Sequence, residues 1–186
     1  MTRACAALML CGLTLLCGCS TVSSWMPFSS SAAPSAAAAC PSAAILHSLS
    51  QTAVFPPGGS HEPVGVAFYG ILSEVNAKCD QAAGAMHVAL DVIVIGERGP
   101  AIGKGDIVDL QYFVAVTGSD QTILNKRSFA VRIAIPAGAK RAGVTDHIEE
   151  TIPLAGRTPG DLSILLGFQQ TPDVIDFYKH FRGRSM

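Results

Sequence analysis

The sequence predicts a mainly β domain, two antiparallel sheets packed as a sandwich of about seven strands and closed by one short C-terminal helix. Three observations lead there. From Ala43 onward, short apolar stretches are separated by Gly, Pro, Asn and Asp, the punctuation of many short strands. Two of these stretches alternate apolar and polar residues with the period of a strand. A single segment near the C-terminus carries the start and stop signals of a helix. The alternative architecture is one antiparallel sheet covered by that helix.

In chain order, Ala43 to Leu49 is the first predicted strand, closed by Phe55-Pro56-Pro57-Gly58-Gly59, where consecutive prolines lack the N–H donors a ladder needs. Val64 to Val75 is the next. The clearest alternation is Met86 to Val94, with Met86, Val88, Leu90, Val92 and Val94 on one face; that face belongs in a core. Ile107 to Val116 repeats it with Val108, Leu110, Tyr112, Val114 and Val116 inward, and the polar loop Thr117 to Thr122 returns the chain for Ile123 to Ile135. These two form a predicted hairpin. On the return strand Phe129, Val131, Ile133 and Ile135 share the buried face, and Ser128, Ala130 and Arg132 the solvated one. Asp146 to Leu154 and Leu162 to Phe168 complete the strands. In the predicted helix Thr171 is the cap, Pro172 the first position and Asp173 the complement to the N-terminal dipole; Lys179, His180 and Arg182 precede Gly183. Val174, Ile175, Tyr178 and Phe181 are its apolar stripe. The sandwich is loosely immunoglobulin-like or fibronectin type III-like, although the only Trp, Trp25, lies outside it.

The N-terminus is an export address. Arg3 precedes an apolar run from Ala6 to Cys17 that ends in small residues, too short to cross a bilayer core of about 30 Å as a stable helix. Leu16-Cys17-Gly18-Cys19 resembles the bacterial lipobox, in which a branched residue, a small residue and Gly or Ala precede an obligatory Cys. The resemblance implies cleavage between Gly18 and Cys19, a diacylglycerol on the Cys19 sulfur and a further acyl chain on its amino group. Each buried CH₂ contributes about 0.8 kcal/mol, and two lipid signals already anchor stably. Ser20, where many inner-membrane lipoproteins carry Asp, favours the outer membrane. The expected organisation is therefore a signal peptide over 1–18, a lipidated Cys19 and tether over 19–39, and a domain over 40–186. The bland alternatives are an ordinary signal cleaved elsewhere and an uncleaved cytosolic terminus.

Processing changes the composition. The mature chain of 168 residues holds one core, with 12 basic and 14 acidic residues and a formal charge of −2; nucleic acid is not expected as a partner. Between Arg3 and Glu62 there is no Asp, Glu, Lys or Arg. Ser20 to Ala39 reads as a Ser/Ala/Pro-rich flexible tether with an r.m.s. span of roughly 25 Å. Trp25, Met26 and Phe28 either enter the headgroup zone or lie exposed. Cys5, Cys11 and Cys17 leave with the signal and Cys19 takes the lipid, so Cys40 and Cys79 are expected to form a disulfide in an oxidising compartment; the alternative is two buried thiols.

Cys40-Pro41 after the tether, Arg98-Gly99-Pro100, Tyr112-Phe113-Val114-Ala115-Val116 and Gly167-Phe168-Gln169-Gln170-Thr171 together resemble a family of uncharacterised proteobacterial envelope lipoproteins. The resemblance covers Cys40 to the helix and implies location and a single domain; it implies no site residues.

Chemistry-bearing patterns are sparse. Gly99-Pro100-Ala101-Ile102-Gly103-Lys104-Gly105 has three residues between its first two glycines and lacks the Ser or Thr after Lys that a phosphate loop needs. It reads as a turn. Ser60-His61-Glu62 places neighbours whose side chains point apart on an extended chain, and His61-Glu62-Pro63 lacks the second His of a zinc helix. His147 and Glu149 share one strand face and need a third ligand to hold a metal. His47, His87 and His180 are isolated. Lys126 and Arg127 are expected at a strand edge as a charge pair against edge pairing, and Lys179, His180, Arg182 and Arg184 form a weakly basic tail. No catalytic, cofactor-binding or metal residue is assigned. The expectation is a membrane-anchored, periplasm-facing lipoprotein of the outer membrane, a non-catalytic interaction or scaffold module whose partner is an envelope protein docking near Lys126 and Arg127. The alternatives are a small-ligand or lipid binder and a hydrolase with a dispersed site.

Overall fold

The computed structural model describes residues 40–102 and 106–181. Eight strands form two sheets. These are β1 (Ser42–Ile45), β2 (Gln51–Val54), β3 (Phe68–Ala82), β4 (Ala85–Arg98), β5 (Ile107–Thr117), β6 (Ile123–Ala134), β7 (Arg141–Pro153) and β8 (Ser163–Phe168), followed by the helix α1 (Pro172–Phe181). One sheet runs β1-β8-β5-β6 and the other β2-β3-β4-β7. All neighbours are antiparallel except β1 and β8, which are parallel. The fold is the expected two-sheet sandwich with its C-terminal helix.

The inward residues of the two sheets form one core. Met86, Val88, Leu90, Val92 and Val94 of β4 meet Val108, Leu110, Tyr112, Val114 and Val116 of β5, and all ten are buried. Full burial of each aliphatic side chain contributes roughly 1.5–3 kcal/mol, so these two strands are the axis of the domain. The β5–β6 hairpin is present, with Val108 opposite Ile133 and Leu110 opposite Val131.

Three elements differ from the expectation. The single strand expected over Ala43 to Leu49 is divided between the sheets. β1 pairs with β8, a 3-10 turn over His47–Leu49 carries the chain across to the other sheet, and β2 then pairs with β3. The turn is closed by the Leu49 N–H donating to the Leu46 carbonyl at 2.8 Å. The count is therefore eight.

The strand expected over Val64 to Val75 begins later and runs further. A 3-10 turn occupies Pro63–Gly65, and β3 continues to Ala82. Its register with β4 slips between Leu72 and Glu74, a bulge that changes which alternate residues face inward. Phe68 and Leu72 enter the core before it; Val75, Ala77 and Cys79 pack on the core after it. The β3–β4 turn is two residues, Ala83 and Gly84, with φ of 50° and 78°, the left-handed pair that matches hairpin twist.

In α1 the Val174 N–H donates to Thr171 Oγ1 at 3.5 Å, so Thr171 caps as expected. The buried residues are Val174 and Phe177, and Ile175 is 42% exposed. The stripe is rotated from the expected one because Phe177 is the helix residue that meets the apolar patch beneath it. Phe177 packs with Ala53, Val66 and Tyr69, flanked by Phe55, Tyr178 and Phe181, in a small cluster separate from the main core.

Two further features set the frame. Cys40 and Cys79 form a disulfide with a Cα–Cα distance of 5.5 Å, joining the residue ahead of β1 in one sheet to β3 in the other. Gly99 approaches the backbone so closely that a Cβ there would collide with the Val66 carbonyl; its N–H donates to the Ala67 carbonyl at 2.7 Å.

Candidate interaction edge

The two lateral sides of the sandwich are unequal. On one side the terminal strands are β1 and β2, four residues each; on the other they are β6, twelve residues, and β7, thirteen. A terminal strand turns one row of backbone donors and acceptors outward, so the long side offers about three times the unpaired backbone of the short one.

The sequence-predicted pair Lys126 and Arg127 lies on β6, and the strand separates the two side chains. Lys126 faces outward, its ammonium 4.2 Å from the centre of the Phe113 ring. Arg127 turns to the other sheet, where its Nη1 donates to Glu150 Oε1 of β7 at 2.8 Å. Glu150 is only 6% exposed, whereas Arg127 is 54% exposed. Arg127 therefore serves as counter-ion to a carboxylate set among Ile148 and Ile152 on the inward face of β7. Alternation sends the two residues to opposite faces of the terminal strand, and Arg127 follows the inward phase of Phe129, Val131 and Ile133.

The sheets are joined along this side by a second polar contact that the sequence did not single out. The Tyr112 hydroxyl, from a side chain that is fully buried, donates to Asp146 Oδ2 at 2.6 Å. Burial first, and then the bond to the Asp146 carboxylate, push the tyrosine ionisation far above its ordinary value. Phe129 stacks on Tyr112 with ring centroids 5.7 Å apart, and the Arg127 guanidinium lies 5.2 Å from the Phe129 ring. Asp146, Tyr112, Phe129, Arg127 and Glu150 thus form one continuous seam between β5, β6 and β7. On the outward face Arg132 donates from Nε and Nη2 to the two Asp109 oxygens at 2.7 and 3.2 Å, which holds the Asp109 carboxyl below the usual carboxylate range.

The other singled-out residues are placed as follows. His147 and Glu149 do share the outward face of β7, with His147 Nδ1 2.6 Å from Asp91 Oδ1. Among the described residues no group of three or more His, Cys, Asp or Glu is arranged to hold a metal. Ser60 Oγ accepts from the Glu62 N–H at 3.2 Å, while His61 stands 3.9 Å from Asp173 and 4.7 Å from the Phe55 ring. His87 Nδ1 is 3.2 Å from Thr151 Oγ1, and His180 Nδ1 lies 2.9 Å from the Asp176 carbonyl. Cys19, Trp25, Met26, Phe28, Lys104, Arg182 and Arg184 lie outside the described residues.

Between the sheets lie the packed side chains of the core. A surface cleft of about 450 Å³ opens beside β2, the first half of β5 and the start of α1, lined among others by Phe55, His61, Asp109, Gln111 and Asp173. Comparison with protein-family models, with curated proteins and with solved structures finds no match to this chain.

Proposed function

We propose that the protein is a membrane-anchored lipoprotein of the bacterial envelope, held by lipid on Cys19, facing the periplasm from the outer membrane, and working as a non-catalytic interaction module. The anchor and compartment rest on the sequence, on Leu16-Cys17-Gly18-Cys19 and Ser20. The mode of action rests on one observation: among the described residues, β6 and β7 leave long backbone edges without a strand partner on the same side of the sandwich. An extended segment of a partner can add to such an edge through main-chain hydrogen bonds, with little demand on side-chain identity. A tether fixed to the same membrane as the partner raises their effective concentration, so modest contacts suffice.

Mass spectrometry of the mature N-terminus tests the anchor, with a triacylated Cys19 expected; an intact Gly18–Cys19 bond in membrane-extracted protein refutes it. Photocrosslinkers at the outward positions Lys126, Ser128 and Arg132, with controls in the tether, test the edge. A strand-specific adduct supports the reading, and its absence together with labelling of one serine by a covalent hydrolase probe favours the enzyme alternative. The surface cleft beside Phe55 and His61 favours a second reading, small-ligand binding. A His61→Ala variant that abolishes ligand-induced stabilisation while leaving crosslinking intact supports it.

A further inference from the structure

We infer that the segment that docks on the β6 edge is β7 of a second copy of this chain, giving a two-fold symmetric dimer. The inference rests on the reading of that edge as the docking surface and names its occupant. β6 carries Lys126, Arg127 and Arg132 and no acid; β7 carries Asp146, Glu149 and Glu150, together with Arg141 and His147. Pairing β6 with another β6 brings together two strands that carry cations and no acid, and like charges destabilise cross-strand pairs. Pairing β6 with β7 opposes cation to acid.

The sandwich presents both edges together, and this makes the pairing symmetric. A two-fold axis parallel to the strands turns the long side of one copy toward the long side of the other and exchanges the levels of the two sheets. The β6 edge of each copy then meets the β7 edge of its partner, and both seams are the same interface. Each four-stranded sheet continues into the partner's other sheet, and the long edges of both chains are covered. β6 and β7 run in opposite directions across the sandwich, because Ile133 lies level with Ala142 while Arg127 reaches Glu150. The first level follows from Gly96, which pairs with Ala142 and whose Cβ, if present, would lie 3.6 Å from the Ile133 side chain. The added ladder is therefore antiparallel.

An axis parallel to the strands preserves level, so the register can be read from the monomer. Counting from the backbone level of Ile133 opposite the partner's Ala142, Lys126 falls opposite the partner's Glu149 and Ser128 opposite the partner's His147; Arg127 meets Glu150 two residues out of that level because its long side chain slants along the strand. Lys126 and Glu149 both sit on the outward phase of their strands. The symmetric interface thus contains two copies of an outward Lys126–Glu149 cross-strand pair, while Arg127 keeps Glu150 within its own chain.

The test uses the full chain in intact envelopes, with p-benzoylphenylalanine at Ser128 and at control positions in the tether. The expected product is a covalent homodimer whose crosslinked peptide comes from β7. In sedimentation of the detergent-extracted full chain, Lys126→Glu and Glu149→Lys each weaken the dimer about tenfold or more, because each puts two like-charge pairs into the interface. Both variants alter exposed side chains and keep the circular dichroism of the parent, and the double variant restores dimerisation. A strand-specific adduct to a different protein, with no homodimer, overturns the dimer and leaves the docking edge standing. Absence of any strand-specific adduct overturns both, and a homodimer crosslinked β6 to β6, or charge reversals without effect, overturns the pairing.

Discussion

Arg127→Met is the perturbation that most directly tests the seam between the sheets. It removes the guanidinium that meets Glu150 at 2.8 Å and leaves a carboxylate that is 6% exposed among apolar neighbours. Removing one partner of a buried pair costs about 3–5 kcal/mol. Arg127 itself is 54% exposed, so water reaches the vacated position and the expectation falls to about 1–2 kcal/mol. The companion Glu150→Gln removes the charge and keeps a group that hydrogen-bonds, and the double variant leaves no buried charge. The assay is urea unfolding at neutral pH, with all three variants and the parent in one cycle. The expected result is that Arg127→Met lowers the midpoint most and that adding Glu150→Gln recovers at least half of the loss. Equal loss in the single and the double variant refutes the counter-ion role and makes Arg127 a packing residue on the Phe129 ring.

Other outcomes follow from features at a distance from that seam. Thiol labelling of unreduced, denatured protein finds neither Cys40 nor Cys79 reactive, and Cys79→Ala costs up to about 4 kcal/mol on the chain-entropy account of a loop of 39 residues; stoichiometric labelling of both sulfurs refutes the bridge. Alkaline unfolding reports the buried phenols. Tyr112 and Tyr178 both ionise above the ordinary value of 10.0 when folded. The native state therefore holds protons that the unfolded state releases, and stability, full below pH 10, falls as pH rises beyond it, by up to about 1.4 kcal/mol per unit per tyrosine. Tyr112→Phe flattens that slope, and an unchanged slope contradicts the assignment. Gly99→Ala forces a methyl group onto the Val66 carbonyl and costs about 1–3 kcal/mol in the same assay. Phe177→Ala detaches α1 from Ala53, Val66 and Tyr69, with a loss of about 3 kcal/mol.

What could be read from the sequence was whatever a single uninterrupted period expresses. β4 and β5 alternate without a break, and every residue assigned inward is buried. β3, one residue longer than β4, was read only in part, because the slip at Leu72/Glu74 splits its inward residues between two phases and no single alternation runs through it. The division of β1 from β2 depends on where β8 and β3 lie, which neighbouring residues do not encode. In α1 the choice between Ile175 and Phe177 was settled by the narrow patch of Ala53, Val66 and Tyr69, a tertiary surface assembled from two strands. At the candidate edge, the position of Lys126 and Arg127 on a terminal strand was legible, and so was the phase that turns Arg127 inward, two residues before Phe129. Its partner was not: Glu150 comes 23 residues later, on a strand whose place depends on crossing between the sheets. Tyr112–Asp146 escaped for the same reason.

The disulfide also defines a load path. Tension along the chain ahead of residue 40 meets β1 first, a strand held by four parallel pairs with β8; alone, it would peel away with little resistance. Because Cys40 is bonded to Cys79, the pull passes through sulfur into β3, which pairs with β4 along nearly all of its fifteen residues. Force then has to shear a long antiparallel ladder rather than unzip a short one. The domain is thereby gripped through an interior strand of one sheet, and the short β1 is relieved of the load.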